Sequence, residues 1–237
     1  MRYTRAFRER HTLDDGTPIE FRAVLPSDKA LLAEGFTRLS PESRRRRFFT
    51  SKTGLSEEEL RYLTEFEGTD HYALGAMIPG DGERAPEGIG VARFVRSQSD
   101  PETAEISIVV VDDWQHRGIG KRLLERIAGA AAERGIRRIR SVALADNPGV
   151  RELLQRHTED LEVRQVEPGV VEFSFPLTMP VSEDVVDVLF STLRLVALGS
   201  VVVPVWFGRQ TVRRLLALGG SSGAGQARGT GDAPDEH

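Results

Sequence analysis

The 237-residue chain contains no cysteine, and lysine occurs only at positions 29, 52 and 121. The first absence excludes disulfides, thiolate metal sites and thiol nucleophiles together. The second leaves arginine to supply almost all the positive charge, which we read as a genomic bias. The formal net charge is −4, so there is no general basic surface of the kind that grips nucleic acid. Long uncharged runs are also missing. The longest, Leu195 to Gly208, falls short of the roughly 20 residues a membrane-spanning helix needs. The opening stretch MRYTRAFRERHTLDDG is charged throughout and has no apolar core, so it does not read as a secretory signal. A cytoplasmic protein without a metal is expected.

What is present reads as alternating strands and helices. Residues 1–16 are polar and are expected to be loosely packed. TPIEFRAVL (17–25) alternates Ile19, Phe21 and Ala23 with polar neighbours, the pattern of a half-buried strand. Helical sequence follows with Ser27 as its cap, and Ser40-Pro41 marks a second helix start. Ser56 with Glu59 three residues later forms a capping box ahead of Leu60, Leu63 and Phe66. HYALGAMI (71–78) and GIGVARFVR (88–96) flank a polar loop rich in glycine and proline, which predicts a hairpin. AEISIVVVDD (104–113) is the third strand of this meander. A helix bearing Leu123, Leu124, Ile127 and Ala131 on one face runs to Gly135. The pattern then gives strand 136–145, a short helix from Asn147, and two last strands, 161–167 and 169–177. The expected fold class is α+β, with a mixed, mostly antiparallel central sheet flanked by helices.

Between the third strand and its helix lies DDWQHRGIGKRLL (112–124). The first turn of any helix has N–H groups without intrahelical partners, and the helix dipole adds partial positive charge there. Glycines at 118 and 120 let a pyrophosphate approach the backbone with no Cβ in the way. Arg117 and Lys121 add charge at the rim. A glycine-rich turn with solvated basic residues has the same local pattern. The stretch is not a Rossmann fingerprint, because Leu123 stands where the third glycine would fall, and it lacks the spacing of a P-loop.

Gln-x-x-Gly-x-Gly after a strand ending VVVDDW, and before an amphipathic helix, resembles motif A of the GNAT acetyltransferase superfamily, which holds the pyrophosphate of acetyl-CoA. The order of elements over about 17–177 is similar to that superfamily's. Within it, LSPESRRRRFF (39–49), GIGVARFVR (88–96), AEISIVVVDDWQHRGIGKRLLERI (104–127) and ALADN (143–147) resemble the Pat-type protein lysine acetyltransferases. The resemblance implies that backbone groups of Val109, Val110 and Val111 pair with the pantetheine arm like an added strand. It implies that the amides of Gln115, His116, Arg117, Gly118, Ile119, Gly120 and Lys121 cradle the pyrophosphate, and that Asn147 contacts the donor near its thioester. Glu105 matches the family's glutamate general base. A base is needed because a lysine ammonium, with a pKa of about 10.4, must lose a proton before it attacks. If Ile106, Ile108 and Val110 face one side of the strand, Glu105, Ser107, Val109 and Val111 face the other.

The resemblance thus implies acetyl transfer from acetyl-CoA to a primary amine, with a protein lysine as acceptor. A small-molecule amine, or a CoA-binding sensor without turnover, are the competing readings. Many members of the superfamily place a tyrosine after the asparagine helix to protonate the leaving thiolate. Residues 153–163, LLQRHTEDLEV, contain none, so the general acid is left to water or His157. Arginines 44–47 read as a solvated helix face, with lining of the acceptor groove as the alternative. We divide the chain into an N-terminal segment (1–16), the acetyltransferase-like domain (17–180), an apolar helical extension (181–218) and a disordered tail (219–237). Segment 183–217 reads as helices that pack on the domain or form a homodimer. Its cluster of Trp206, Phe207, Arg209, Arg213 and Arg214 gives membrane-surface contact as the alternative.

Overall fold

A computed structural model describes residues 1–41, 43, 53–144, 162–167 and 170–177. Eight strands form one sheet in the order β1-β2-β3-β4-β5-β6-β8-β7. They are β1 (Arg8–Thr12), β2 (Pro18–Ala23), β3 (His71–Ile78), β4 (Glu87–Arg96), β5 (Thr103–Val110), β6 (Arg138–Leu144), β7 (Glu162–Glu167) and β8 (Val170–Pro176). Only β5 and β6 run parallel; every other neighbouring pair is antiparallel. Among the described residues three helices accompany them: α1 (Lys29–Thr37), α2 (Glu57–Thr64) and α3 (Ile119–Ala132). None of the described helices is long and apolar enough to cross a membrane.

The N-terminal segment is not loosely packed. β1 pairs antiparallel with β2, and Tyr3, Phe7 and Leu13 are buried in the core. Widely spaced apolar residues among charges hid this strand: its faces are half-exposed, so its burial comes from the ends of the segment. Ser27 does not cap α1 either. The chain enters through a 3-10 turn, Pro26–Asp28, in which the Asp28 carboxylate accepts the Leu25 N–H at 2.7 Å. Arg22 grips the same carboxylate with two bonds of 2.7 Å.

Other local signals act as expected. Ser56 Oγ accepts the Glu59 N–H at 3.2 Å, and Glu59 returns the bond to the Ser56 N–H at 2.7 Å. Gly135, at φ +79°, ends α3, with the Gly135 and Ile136 amides bonding back to the carbonyls of Ala132 and Ala131. Leu123, Leu124, Ile127, Ala128 and Ala131 of α3 are all 0% exposed. They join Leu74, Ala92, Phe94 and Ile106 in one continuous core on that face of the sheet. α1 packs on β4 from the opposite face, beside α2.

Asn147, Arg44 to Arg47, His157, the short helix from Asn147 and everything beyond Leu177 lie outside the described residues.

Candidate active site

The sheet opens where β5 and β6 meet. Their parallel ladder has three rungs, Thr103–Arg138, Ala104–Ile139 and Glu105–Arg140. β5 nevertheless stays paired with β4 as far as Val110, and β6 stays paired with β8 as far as Leu144. A wedge therefore separates β5 from β6 beyond Glu105, which stands at its apex.

Strand parity decides which backbone groups line the wedge. In an antiparallel pair, a residue directs both its N–H and its C=O to the same neighbour, and the direction alternates along the strand. The Val111 N–H donates to the Ile89 carbonyl at 3.0 Å, and the Thr103 carbonyl accepts from Ser97 at 2.8 Å. Odd-numbered residues of β5 therefore serve β4. The wedge side belongs to Ile106, Ile108 and Val110. Of the three valines expected to offer backbone to the donor, only Val110 turns its backbone toward the wedge. Val109 and Val111 present side chains to the α1 face instead, and Ile108 is the residue that sequence reading missed. Alternation groups Ile108 with Val110, but the pairing of β5 with β4 decides that this set faces the wedge.

The bend after β5 is held by two side chains. Gln115 Nε2 donates to the Val110 carbonyl at 3.1 Å, which fixes the strand end. Asp112 accepts from the Ser40 N–H at 2.7 Å, from Ser40 Oγ at 3.3 Å and from Ser43 Oγ at 2.6 Å. The LSPES stretch and the VDDW stretch are thus tied together. Ser40 Oγ also accepts the Ser43 N–H at 3.1 Å, as expected of the residue before a second helix start.

The backbone then curls. His116 has φ +62° and Gly118 φ +76°, so left-handed conformations fall at alternate residues. Such a sequence makes a concave nest of N–H groups. Gly118 is the N-cap of α3 and brings no side chain to satisfy the first-turn amides. Arg122 N–H donates to the Gly118 carbonyl at 3.1 Å, the first bond of the helix. Among the described residues the amides of His116, Arg117, Gly118, Ile119 and Gly120 have no protein acceptor. The Gln115 amide is different, since it donates to the Asp112 carbonyl at 3.1 Å within the turn. Gln115 supports the cradle through its side chain. The Arg117 guanidinium bonds Asp15 at 2.8 Å and lies over the Trp114 ring at 4.7 Å.

On the α1 face, Glu105 is partly buried and shares its side of β5 with Ser107, Val109 and Val111, which line a cavity of about 120 Å³. Ile106, on the other side, is 0% exposed in the α3 core. The alternation read from the sequence therefore holds. Near Glu105 a polar cluster covers the sheet. Arg93 is 5% exposed and donates to His71 Nε2 at 2.9 Å. An arginine cannot accept, so His71 carries its proton on Nδ1. Burial first, and then the charge of Arg93, hold the His71 pKa down at about 3, so the ring is neutral at any physiological pH. Burial lowers the Arg93 guanidinium to about 10, with the Tyr62 phenol opposing that shift. Burial raises the Tyr62 pKa, Arg93 opposes the shift, and the nearby Glu105 adds to it. His71 stacks on Phe66 with ring centroids 4.5 Å apart. Neither Tyr62 nor His71 stood out in the sequence. The Tyr62–Phe66 spacing, one turn apart on α2 and just beyond it, was the available signal.

A wedge that offers strand-like backbone, a nest of amides at a helix start and a carboxylate at the apex suit a donor with an amide-bearing arm and a diphosphate. The comparisons with known proteins agree. The profile of the acetyltransferase (GNAT) family matches residues 31–158. The acetyltransferase Pat of Mycolicibacterium smegmatis is 31% identical over 171 residues, which cover 70% of this chain and 49% of that protein. An acetyltransferase of Pseudomonas aeruginosa is 27% identical over 142 residues, covering 60% and 75%. The crystal structure of the GNAT domain of S. lividans PAT superposes with a TM-score of 0.59 at 29% identity, covering 72% of this chain and 97% of that domain. The chain spans about half the length of the Pat relative. With more than half of its residues inside the family profile, the chain belongs to the GNAT acetyltransferase family.

Proposed function

We propose that the protein is an N-acetyltransferase that moves the acetyl group of acetyl-CoA to a primary amine, with Glu105 as general base. The observation that carries this reading is the coincidence of the wedge apex with Glu105. The one carboxylate on that rung stands where the opening between β5 and β6 begins. Acetyl-CoA supplies an activated acyl carbonyl. Val110 and Ile108 offer backbone groups to its amide-bearing arm, and the amides from His116 to Gly120 receive the diphosphate. Lys121, at the end of that first turn, and Asn147 remain assigned to the donor on the resemblance alone.

Glu105 takes a proton from the acceptor ammonium. The neutral nitrogen then bonds the carbonyl carbon as the carbon–sulfur bond breaks; the nitrogen sheds a second proton to water, water protonates the departing thiolate, and the products are the amide and free coenzyme A. His157 is the alternative acid. No covalent enzyme intermediate is needed, in keeping with a chain that has no cysteine. Proximity to the buried cation Arg93 favours the neutral amine, since a like charge disfavours the ammonium form.

A protein lysine is the proposed acceptor, supported by likeness to the Pat proteins. Acetylation of a small-molecule amine is the second reading, and a non-catalytic CoA sensor the third. A cytoplasmic location, and a homodimer or membrane contact through 183–217, belong to the same proposal. Glu105→Gln is expected to lower turnover by about a hundredfold or more while acetyl-CoA affinity changes little. Steady-state rates together with calorimetric titration of CoA measure both. Equal rates would remove Glu105 from the chemistry, and absent CoA binding in the unaltered protein would remove the donor. Labelled acetyl-CoA with a host lysate separates protein from small-molecule acceptors.

A further inference from the structure

The cavity beside Glu105 is larger and more apolar than an acetyl group requires. It runs under α1 across β5, β4, β3 and β2, three inter-strand spacings or about 14 Å. Its wall at the wedge end is Ser107 and Val109. Beyond them it passes between Leu32 and Phe36 of α1 and a floor of Val91 and Gly75. No lining residue is exposed.

Two glycines keep the space open. A Cβ built on Gly75 would meet only the Val24 side chain at 3.8 Å and a backbone oxygen at 4.0 Å, and one on Gly35 would meet only the Gly88 carbonyl at 3.8 Å. Neither position has a positive φ, so backbone conformation does not require glycine there. The missing side chains leave volume. Three charged residues share the lining: Arg22 is neutralised by Asp28 at the far end, and Arg93 stands opposite Ser107 near the mouth.

We infer that this slot receives the acyl chain of the donor thioester, so that the enzyme takes linear acyl groups longer than acetyl. The inference rests on the proposed donor site. An acyl chain extends from the carbonyl carbon away from sulfur, and it alone needs a buried apolar volume beside the thioester. An acceptor lysine must instead reach back to solvent, where the rest of its protein lies. A cavity of ~150 Å³ holds a six-carbon ring, so one of about 120 Å³ fits a chain of roughly five carbons. Each buried methylene tightens binding about fourfold.

The test uses the full chain and a ladder of non-reactive thioether analogues of acyl-CoA, from acetyl to dodecanoyl, titrated by calorimetry beside free CoA. The dissociation constant is expected to fall about 250-fold from acetyl to hexanoyl, and no further for dodecanoyl. Gly75→Leu, which places a side chain in the slot, is expected to flatten the ladder at the acetyl value. A flat ladder in the unaltered protein overturns the inference, including the case in which the slot holds part of the acceptor. Failure of free CoA to bind overturns the donor site instead, so the two failures are distinguishable. Should Gly75→Leu not fold, the ladder on the unaltered chain still decides.

Discussion

The two faces of the sheet are built on opposite plans. Under α3 the packing is close: Leu123, Leu124, Ile127 and Phe94 are all 0% exposed, and the guanidiniums of Arg126 and Arg134 stack over Phe21 at 4.2 Å and Tyr72 at 4.3 Å. Under α1 the sheet carries glycines, a cavity, a buried arginine and a neutral histidine. The first face stabilises the fold by removing apolar area from water. The second forgoes some of that gain, because empty volume and a desolvated guanidinium both cost free energy. The contrast teaches that the site is held by its neighbour. α3 anchors the rear of β5 while its N-terminus forms the cradle, so one helix serves stability at its middle and binding at its start.

Substitutions on the two faces separate the two plans. Leu124→Ala on the packed face is expected to cost about 3 kcal/mol, within a range of roughly 2 to 5, by urea denaturation. Leu32→Ala beside the slot is expected to cost only about 1 kcal/mol, since the residue is half-buried next to existing space. Equal losses at both sites would erase the distinction between the faces.

His71 makes stability depend on pH. Its folded pKa is depressed from 6.5 to about 3, so the unfolded chain binds a proton first as pH falls. Stability attributable to His71 is therefore complete above about 6.5 and declines by roughly 1.4 kcal/mol per pH unit toward about 3. His71→Phe should remove that part of the slope in melts taken between pH 7 and 4. A slope unchanged by the substitution would show that the ring is not held neutral.

The effect on stability is small at the cradle as well. Gly118→Ala puts a Cβ on a left-handed residue and costs about 1 kcal/mol of stability. Calorimetry should show CoA affinity lost with it. Full affinity in a folded Gly118→Ala protein would count against the nest.

The elements most legible in sequence were those whose signals are local. The Ser56–Glu59 capping box, the stop at Gly135, the meander and the apolar stripe of α3 all appear where their residue spacing put them. β1 was missed because only Tyr3, Phe7 and Leu13 at its flanks report burial, while the strand itself looks polar. Among the site residues, Glu105 and the glycines stood out, since one carboxylate in an apolar strand and a glycine pair at a helix start are visible without coordinates. The cluster of Tyr62, His71 and Arg93 was invisible, because it joins α2, β3 and β4 across gaps in sequence that no short pattern bridges.

By itself the sequence determined the alternation that turns Glu105 away from the α3 core, and the helix start at which amides gather. Those depend on strand and helix periods, which a chain carries locally. Only the tertiary structure decided that the ladder between β5 and β6 ends at Glu105, which β5 residues turn their backbone to the opening, and that space remains under α1. Divergence of two strands and the fit of a helix over a sheet are set by contacts between distant segments, and pairwise distance is not written in residue order.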